Sequence, residues 1–93
     1  MNETVEREFA ISSELGLHAR PAGQFVSLAS RFASEIEVGR GNEWVDGRSV
    51  LSLLSLAAAG GSALRIRATG PDAAEAVEAL GKLLQNLEHN PLR

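Results

Sequence analysis

The chain has no cysteine, one tryptophan, two histidines and three prolines among its 93 residues. Without cysteine there is no disulfide framework and no thiolate metal site, so stability has to come from burial. An excess of basic charge is missing too: nine Lys and Arg stand against twelve Asp and Glu, a net charge of -3. Arg7, Arg20, Arg31, Arg40, Arg48, Arg65 and Arg67 are scattered along the chain. They form no stripe of the kind that neutralises nucleic-acid phosphates, which argues against a nucleic-acid partner. No apolar run reaches the roughly 18 residues needed to span a bilayer. The opening "MNETVEREFAI" is charged and alternating where a secretory leader would be apolar. The expectation is a cytoplasmic protein that does not insert into a membrane.

What is present suffices for one core. With 44% apolar residues, the length allows a single compact domain over residues 1–93. Val5, Arg7, Phe9 and Ile11 alternate with Glu6, Glu8 and Ala10, a strand pattern with a mostly apolar inner face. From Ala19 the period changes. Ala22, Phe25, Val26, Ala29, Phe32 and Ala33 make one apolar stripe of an amphipathic helix. "SEIEVGRGNEWVDG" reads as a hairpin, with Ile36 and Val38 in one strand, a turn over residues 39–42, and Trp44 and Val45 in the other. "SVLSLLSLAAA" is a short apolar helix with Ser49 as N-cap and Gly60 and Gly61 as its stop. "ALRIRAT" alternates Leu64, Ile66 and Ala68 inward with Arg65 and Arg67 outward. A last helix starts at Pro71 and Asp72 and carries Ala73, Ala76, Val77, Leu80, Leu83, Leu84 and Leu87 on one stripe. Phe25, Val26, Ala29, Val77, Leu80 and Leu84 are the expected core.

Charge on the outward faces predicts the sheet order. Glu6 and Glu8, Glu35 and Glu37, and Arg65 and Arg67 lie on three different strands. Opposite charges across neighbouring strands contribute about 0.2–1 kcal/mol per pair, and like charges cost a similar amount. The arginine strand therefore belongs between the two glutamate strands. With the hairpin intact, this gives an antiparallel sheet of order 1-4-2-3 in an α+β, open-faced β-sandwich, β-α-β-β-α-β-α, with three helices on one face.

His18 falls between the first strand and the first helix, in "GLHARPAG". The first amides of a helix have no intrahelical partner, and the macrodipole places about half a positive charge there, so an anion is favoured. Pro21 has no N–H to offer, which leaves the backbone amides of Ala19 and Arg20 as donors, and the Arg20 guanidinium adds a fork suited to phosphate oxygens. Taken alone, His-Ala-Arg-Pro reads more often as ordinary helix-start surface. Hydrolytic chemistry has less support, because no Gly-x-Ser-x-Gly is present. With His18 and His89 as the only imidazoles, a metal site would need clustered carboxylates, and none is apparent. His89 reads as a residue near a helix C-terminus.

"LGLHARPAGQFVSLASRF", followed by "SEIEV", "DGRSVLSLLSLAA" and "TGPDAAEAVEAL", resembles the HPr phosphocarrier family of the bacterial phosphoenolpyruvate-dependent sugar phosphotransferase system over Val5 to Leu87. The resemblance implies the same element order and sheet. It also implies that His18 accepts a phosphoryl group on Nδ1 from enzyme I and hands it to IIA domains of sugar permeases, with Arg20 contacting that group. The protein would then be a monomeric carrier, itself a substrate and not an enzyme, and would need no cofactor. Ser49 matches the serine that HPr kinase/phosphorylase modifies in many members. Val50, Leu51, Leu53, Leu54 and Leu56 are too many apolar residues for one buried face, so Val50, Leu51 and Leu54 are expected to form an exposed partner surface beside Ser49. A partner with acidic groups would engage Arg20 or Arg48. Gly23 departs from the alanine or threonine more usual in the family and costs about 1 kcal/mol of helix propensity. Two other readings stay open: a regulatory HPr-like protein that signals to a kinase or transcription factor, and an interaction domain with no covalent chemistry.

Overall fold

The computed structural model describes residues 3–10, 19–56 and 63–86. Its elements are β1 (Glu3–Ala10), α1 (Ala19–Ala29), β2 (Glu35–Arg40), β3 (Glu43–Asp46), α2 (Val50–Leu56), β4 (Ala63–Gly70) and α3 (Ala73–Gln85). The four strands form one antiparallel sheet in the order β1-β4-β2-β3, as the charge pattern predicts. The expected positions Ile11, Gly60, Gly61 and Leu87 lie outside the described residues.

The register refines the charge argument. Arg67 lies between Glu6 and Glu37, but Arg65 lies between Glu8 and Gly39, and Glu35 faces Thr69. The arginine row therefore meets one glutamate of β2 and not two. Arg67 donates to Glu37 Oε1 from Nε at 2.9 Å and from Nη2 at 2.8 Å. Trp44, opposite Gly39 on β3, lays its ring over that glycine, where an added Cβ would come within 2.7 Å of the indole. The guanidinium carbons of Arg67 and Arg65 stand 3.9 and 4.7 Å from the Trp44 ring, a distance at which cation–π attraction acts.

The inner face carries the core. Ile36, Val38, Leu64, Ile66, Ala68 and Phe9 from the sheet pack with Ala22, Phe25, Ala29, Leu53, Leu56, Val77, Leu80 and Leu84 from the helices. Five of the six expected core residues are fully buried; Val26 is half-buried at the margin of the cluster. Arg7 shares the inner register of Val5 and Phe9 but is exposed, its guanidinium 5.1 Å from the Phe9 ring, because β1 is an edge strand and a long side chain can swing clear. Gly81 of α3 makes room for Phe9, whose ring a Cβ placed there would strike.

Three boundaries differ from the sequence expectation. The hairpin turn is shorter, because Gly39 and Arg40 pair within β2 and only residues 41–42 turn, with Gly41 at φ +63° supplying the positive dihedral that a two-residue turn needs. Helix α1 stops at Ala29, so Phe32 and Ala33 lie beyond it and Ala33 is exposed. Arg31 N bonds Leu28 O and Phe32 N bonds Ala29 O, three residues back, which tightens and ends the helix. Helix α3 begins at Ala73, and its N-cap Asp72 makes no side-chain cap. The Asp72 carboxylate instead accepts from Ala33 N at 2.9 Å, Ser34 N at 2.9 Å and Ser34 Oγ at 2.6 Å.

Candidate functional site

Helix α1 starts at Ala19, directly after His18, and has no acidic residue in its first turn. His18 itself, like His89, lies outside the described residues. Arg20 is exposed in the second helical position, and Pro21, in the third, withholds the amide that would otherwise be a third free donor. The amides of Ala19 and Arg20 precede the first residue able to bond back into the helix. The start of α1 therefore combines a first turn without acidic residues, two backbone amides with no intrahelical acceptor and a permanent cation, a set suited to an anion with several oxygens.

The other end of α1 is occupied by the chain itself. Arg48 Nη2 donates to Ala29 O at 3.2 Å, Phe32 O at 2.9 Å and Ser34 O at 2.9 Å. Helix α1 has no basic residue in its last turn, so this guanidinium supplies from elsewhere in the chain the charge that favours a helix C-terminus. Arg48 is itself fixed by the preceding turn, where its backbone N donates to Asp46 Oδ1 at 2.9 Å. The half-buried Arg48 side chain thus has a structural role through Nη2, beside the partner contact expected of it. The Asp-Gly-Arg-Ser spacing marks the turn in sequence, but nothing local to it points to carbonyls 14 to 19 residues away.

Ser49 caps α2 as expected: its Oγ accepts from Ser52 N at 3.2 Å and its carbonyl from Leu53 N at 3.0 Å. The apolar surface is smaller than expected. Leu51 is 80% exposed, whereas Val50 and Leu54 are half-buried and pack against the core. The reason is helical geometry, since Leu53 and Leu56 face inward and Val50 and Leu54 flank that face, leaving Leu51 on the far side. Helix α2 packs against α1, so Leu51, Ser49 and the exposed side of α1 belong to the same helical layer.

At Asp72, the Ser34 hydroxyl bond, followed by the Ala33 amide, holds the carboxyl below the ordinary aspartate value against a smaller opposing effect of desolvation. Among the described residues no cluster of three or more His, Cys, Asp or Glu is placed to hold a metal ion. No helix among them is long and apolar enough to cross a membrane.

Residues 5–86 match the family model described as "PTS HPr component phosphorylation site". The chain is 40% identical over 81 residues to the phosphocarrier protein HPr of Pseudomonas putida, covering 86% of this chain and 90% of that protein. It is 41% identical over 76 residues to the HPr-like protein Crh of Halalkalibacterium halodurans, covering 82% and 90%. Among solved structures, a phosphocarrier protein HPr from Bacillus anthracis strain Ames is similar with a TM-score of 0.82 and 38% identity, over 88% of this chain and 98% of that one.

Proposed function

The chain belongs to the HPr family of phosphocarrier proteins, and from that premise we propose that it relays a phosphoryl group from enzyme I to IIA domains of sugar permeases, as a cytoplasmic, monomeric, single-domain carrier. His18 is the acceptor. Its neutral imidazole, with a reference pKa near 6.5, attacks phosphorus through the Nδ1 lone pair while the bond from phosphorus to the donor nitrogen on enzyme I breaks. The observation that supports this most is the start of α1 directly after His18, with the Ala19 and Arg20 amides lacking an intrahelical acceptor and Arg20 exposed. One guanidinium and two amides offset only part of a dianion, so the phosphohistidine is held yet stays transferable. Incubation with phosphoenolpyruvate and enzyme I should phosphorylate the protein at His18, and His18→Ala should abolish it; labelling that survives this substitution refutes the assignment.

Ser49 is the regulatory position of this reading, with HPr kinase/phosphorylase as its modifying partner and Leu51, flanked by Val50 and Leu54, as the apolar contact. A phosphoryl group there adds about -1.5 to -2 charge beside a surface that enzyme I must desolvate. Ser49→Asp, which keeps a good N-cap, should slow transfer to His18 at least tenfold, about 1.4 kcal/mol, with the melting temperature within a few degrees. An unchanged transfer rate removes the regulatory role. The similarity to an HPr-like protein Crh favours a second reading, in which the chain signals to a regulatory partner and sugar uptake is not its task. Passage of label from phosphorylated protein to a IIA domain separates the two.

A further inference from the structure

The two margins of the sheet's open face are neutralised unequally. Both arginines of β4 turn toward β3: Arg67 pairs with Glu37 and stacks on Trp44, while Arg65 lies over the same ring and donates to Gly41 O. On the other side, Glu6 faces Arg67 and Glu8 faces Arg65 in the backbone register, yet neither glutamate has an ion-pair partner among the described residues. Both are exposed, as are Glu3 and Thr4. They stand on β1, which pairs with β4 on one side and with no described strand on the other. Over its eight residues, alternate N–H and C=O groups point away from the sheet. The opposite margin, β3, has only four residues.

We propose that the free edge of β1 is a strand-addition site for a basic extended segment of a partner protein, with Lys or Arg at two alternate positions opposite Glu6 and Glu8. Backbone bonds to the edge supply the pairing, and the two unneutralised carboxylates select the charge. The residue between those cations lies opposite Arg7, so it is uncharged, and the residues flanking them are apolar because they continue the inner-face row of Val5 and Phe9. A second copy of this chain is a poor occupant. Antiparallel pairing of two β1 strands in the registers centred on residues 6, 7 or 8 sets Glu6 against Glu6, Glu6 against Glu8, or Glu8 against Glu8, and like charges directly opposite are destabilising; registers that avoid this shift the pairing toward one end of the strand.

The test uses the full chain and an end-blocked eight-residue peptide alternating lysine and valine. Amide NMR shifts and exchange protection should change over residues 3–10, saturating below about 1 mM, a binding free energy of about 4 kcal/mol. The Glu6→Lys/Glu8→Lys protein should bind it at least tenfold more weakly and should instead take up an alternating glutamate–valine peptide. The same lysine peptide with its edge-facing amides N-methylated keeps its charge and loses the backbone bonds, and it should not bind. Equal binding of the methylated peptide would reduce the effect to bulk electrostatics and overturn strand addition. No saturable change over residues 3–10, or self-association of the protein through β1, would overturn the proposal as well.

Discussion

The two ends of α1 are treated in opposite ways. At its C-terminal end the Arg48 guanidinium takes three carbonyls, and a few residues on, the Asp72 carboxylate takes two amides and the Ser34 hydroxyl. Charge brought from distant sequence closes that end. At the N-terminal end the first turn holds no acidic residue, Pro21 has no donor, and Arg20 is exposed. One helix is thus fastened at one end and left open at the other, and the open end is the one beside His18. A helix that must hold a transient anion needs its dipole unanswered there and its position fixed elsewhere.

That contrast breaks most severely at Arg48. Arg48→Ala strips the donor from three carbonyls and should cost about 2–3 kcal/mol, read as a fall in melting temperature of roughly 10–20 °C. A drop of only a degree or two would mean that water replaces the guanidinium without loss. Arg20→Ala should do the reverse, slowing phosphoryl transfer to His18 by at least tenfold, about 1.4 kcal/mol, while thermal unfolding stays unchanged. If both variants lose stability alike, the two ends are not functionally distinct.

Gly23→Ala tests the helix between them. An added Cβ at Gly23 meets nothing within 4 Å, so the substitution should stabilise by about 1 kcal/mol in denaturant unfolding. If transfer also slows, the open end needs the looseness that glycine provides. The smallest effect belongs to Asp72. Its carboxyl is held below the ordinary value by Ser34 and Ala33, so its contribution is present above the unfolded-state pKa and is lost as pH falls through the lower folded value. The acid limb of an unfolding titration should therefore be shallower in Asp72→Asn than in the parent, and parallel limbs would show that the carboxylate's bonds are immaterial.

The features legible in the sequence are those written in local periodicity and in charge. Alternation locates β4, the apolar stripe locates α3, and the Glu and Arg rows order the sheet as the strands pair. The His-Ala-Arg-Pro run marked the start of α1 for the same reason, because helix-start chemistry is local. What local patterns could not show were interactions between distant segments. The stripe through Phe32 and Ala33 suggested a longer helix, since no glycine or proline stops it; the stop comes from backbone bonds three residues back and from Arg48. Asp72 looked like one of the first residues of the last helix, but it precedes that helix and its carboxylate bonds a loop 38 positions earlier. Trp44 offered no sign that it would collect both arginines of β4 and leave the β1 glutamates without partners.

The pairing of β1 with β4 has a consequence for how the protein is born. Glu3 finds its partner at Gly70 and Ala10 at Ala63, so the first strand to leave the ribosome waits for the last strand of the sheet. At roughly 5–20 residues per second, that wait lasts on the order of 3–12 s and exceeds the microseconds in which a hairpin such as β2–β3 can close. Strand β4, which joins both halves of the sheet, arrives last among the strands, so the nascent chain can form local helices and one hairpin but no complete core. Folding must therefore be a late, concerted event, and the charges of β1 keep that strand soluble while it is alone.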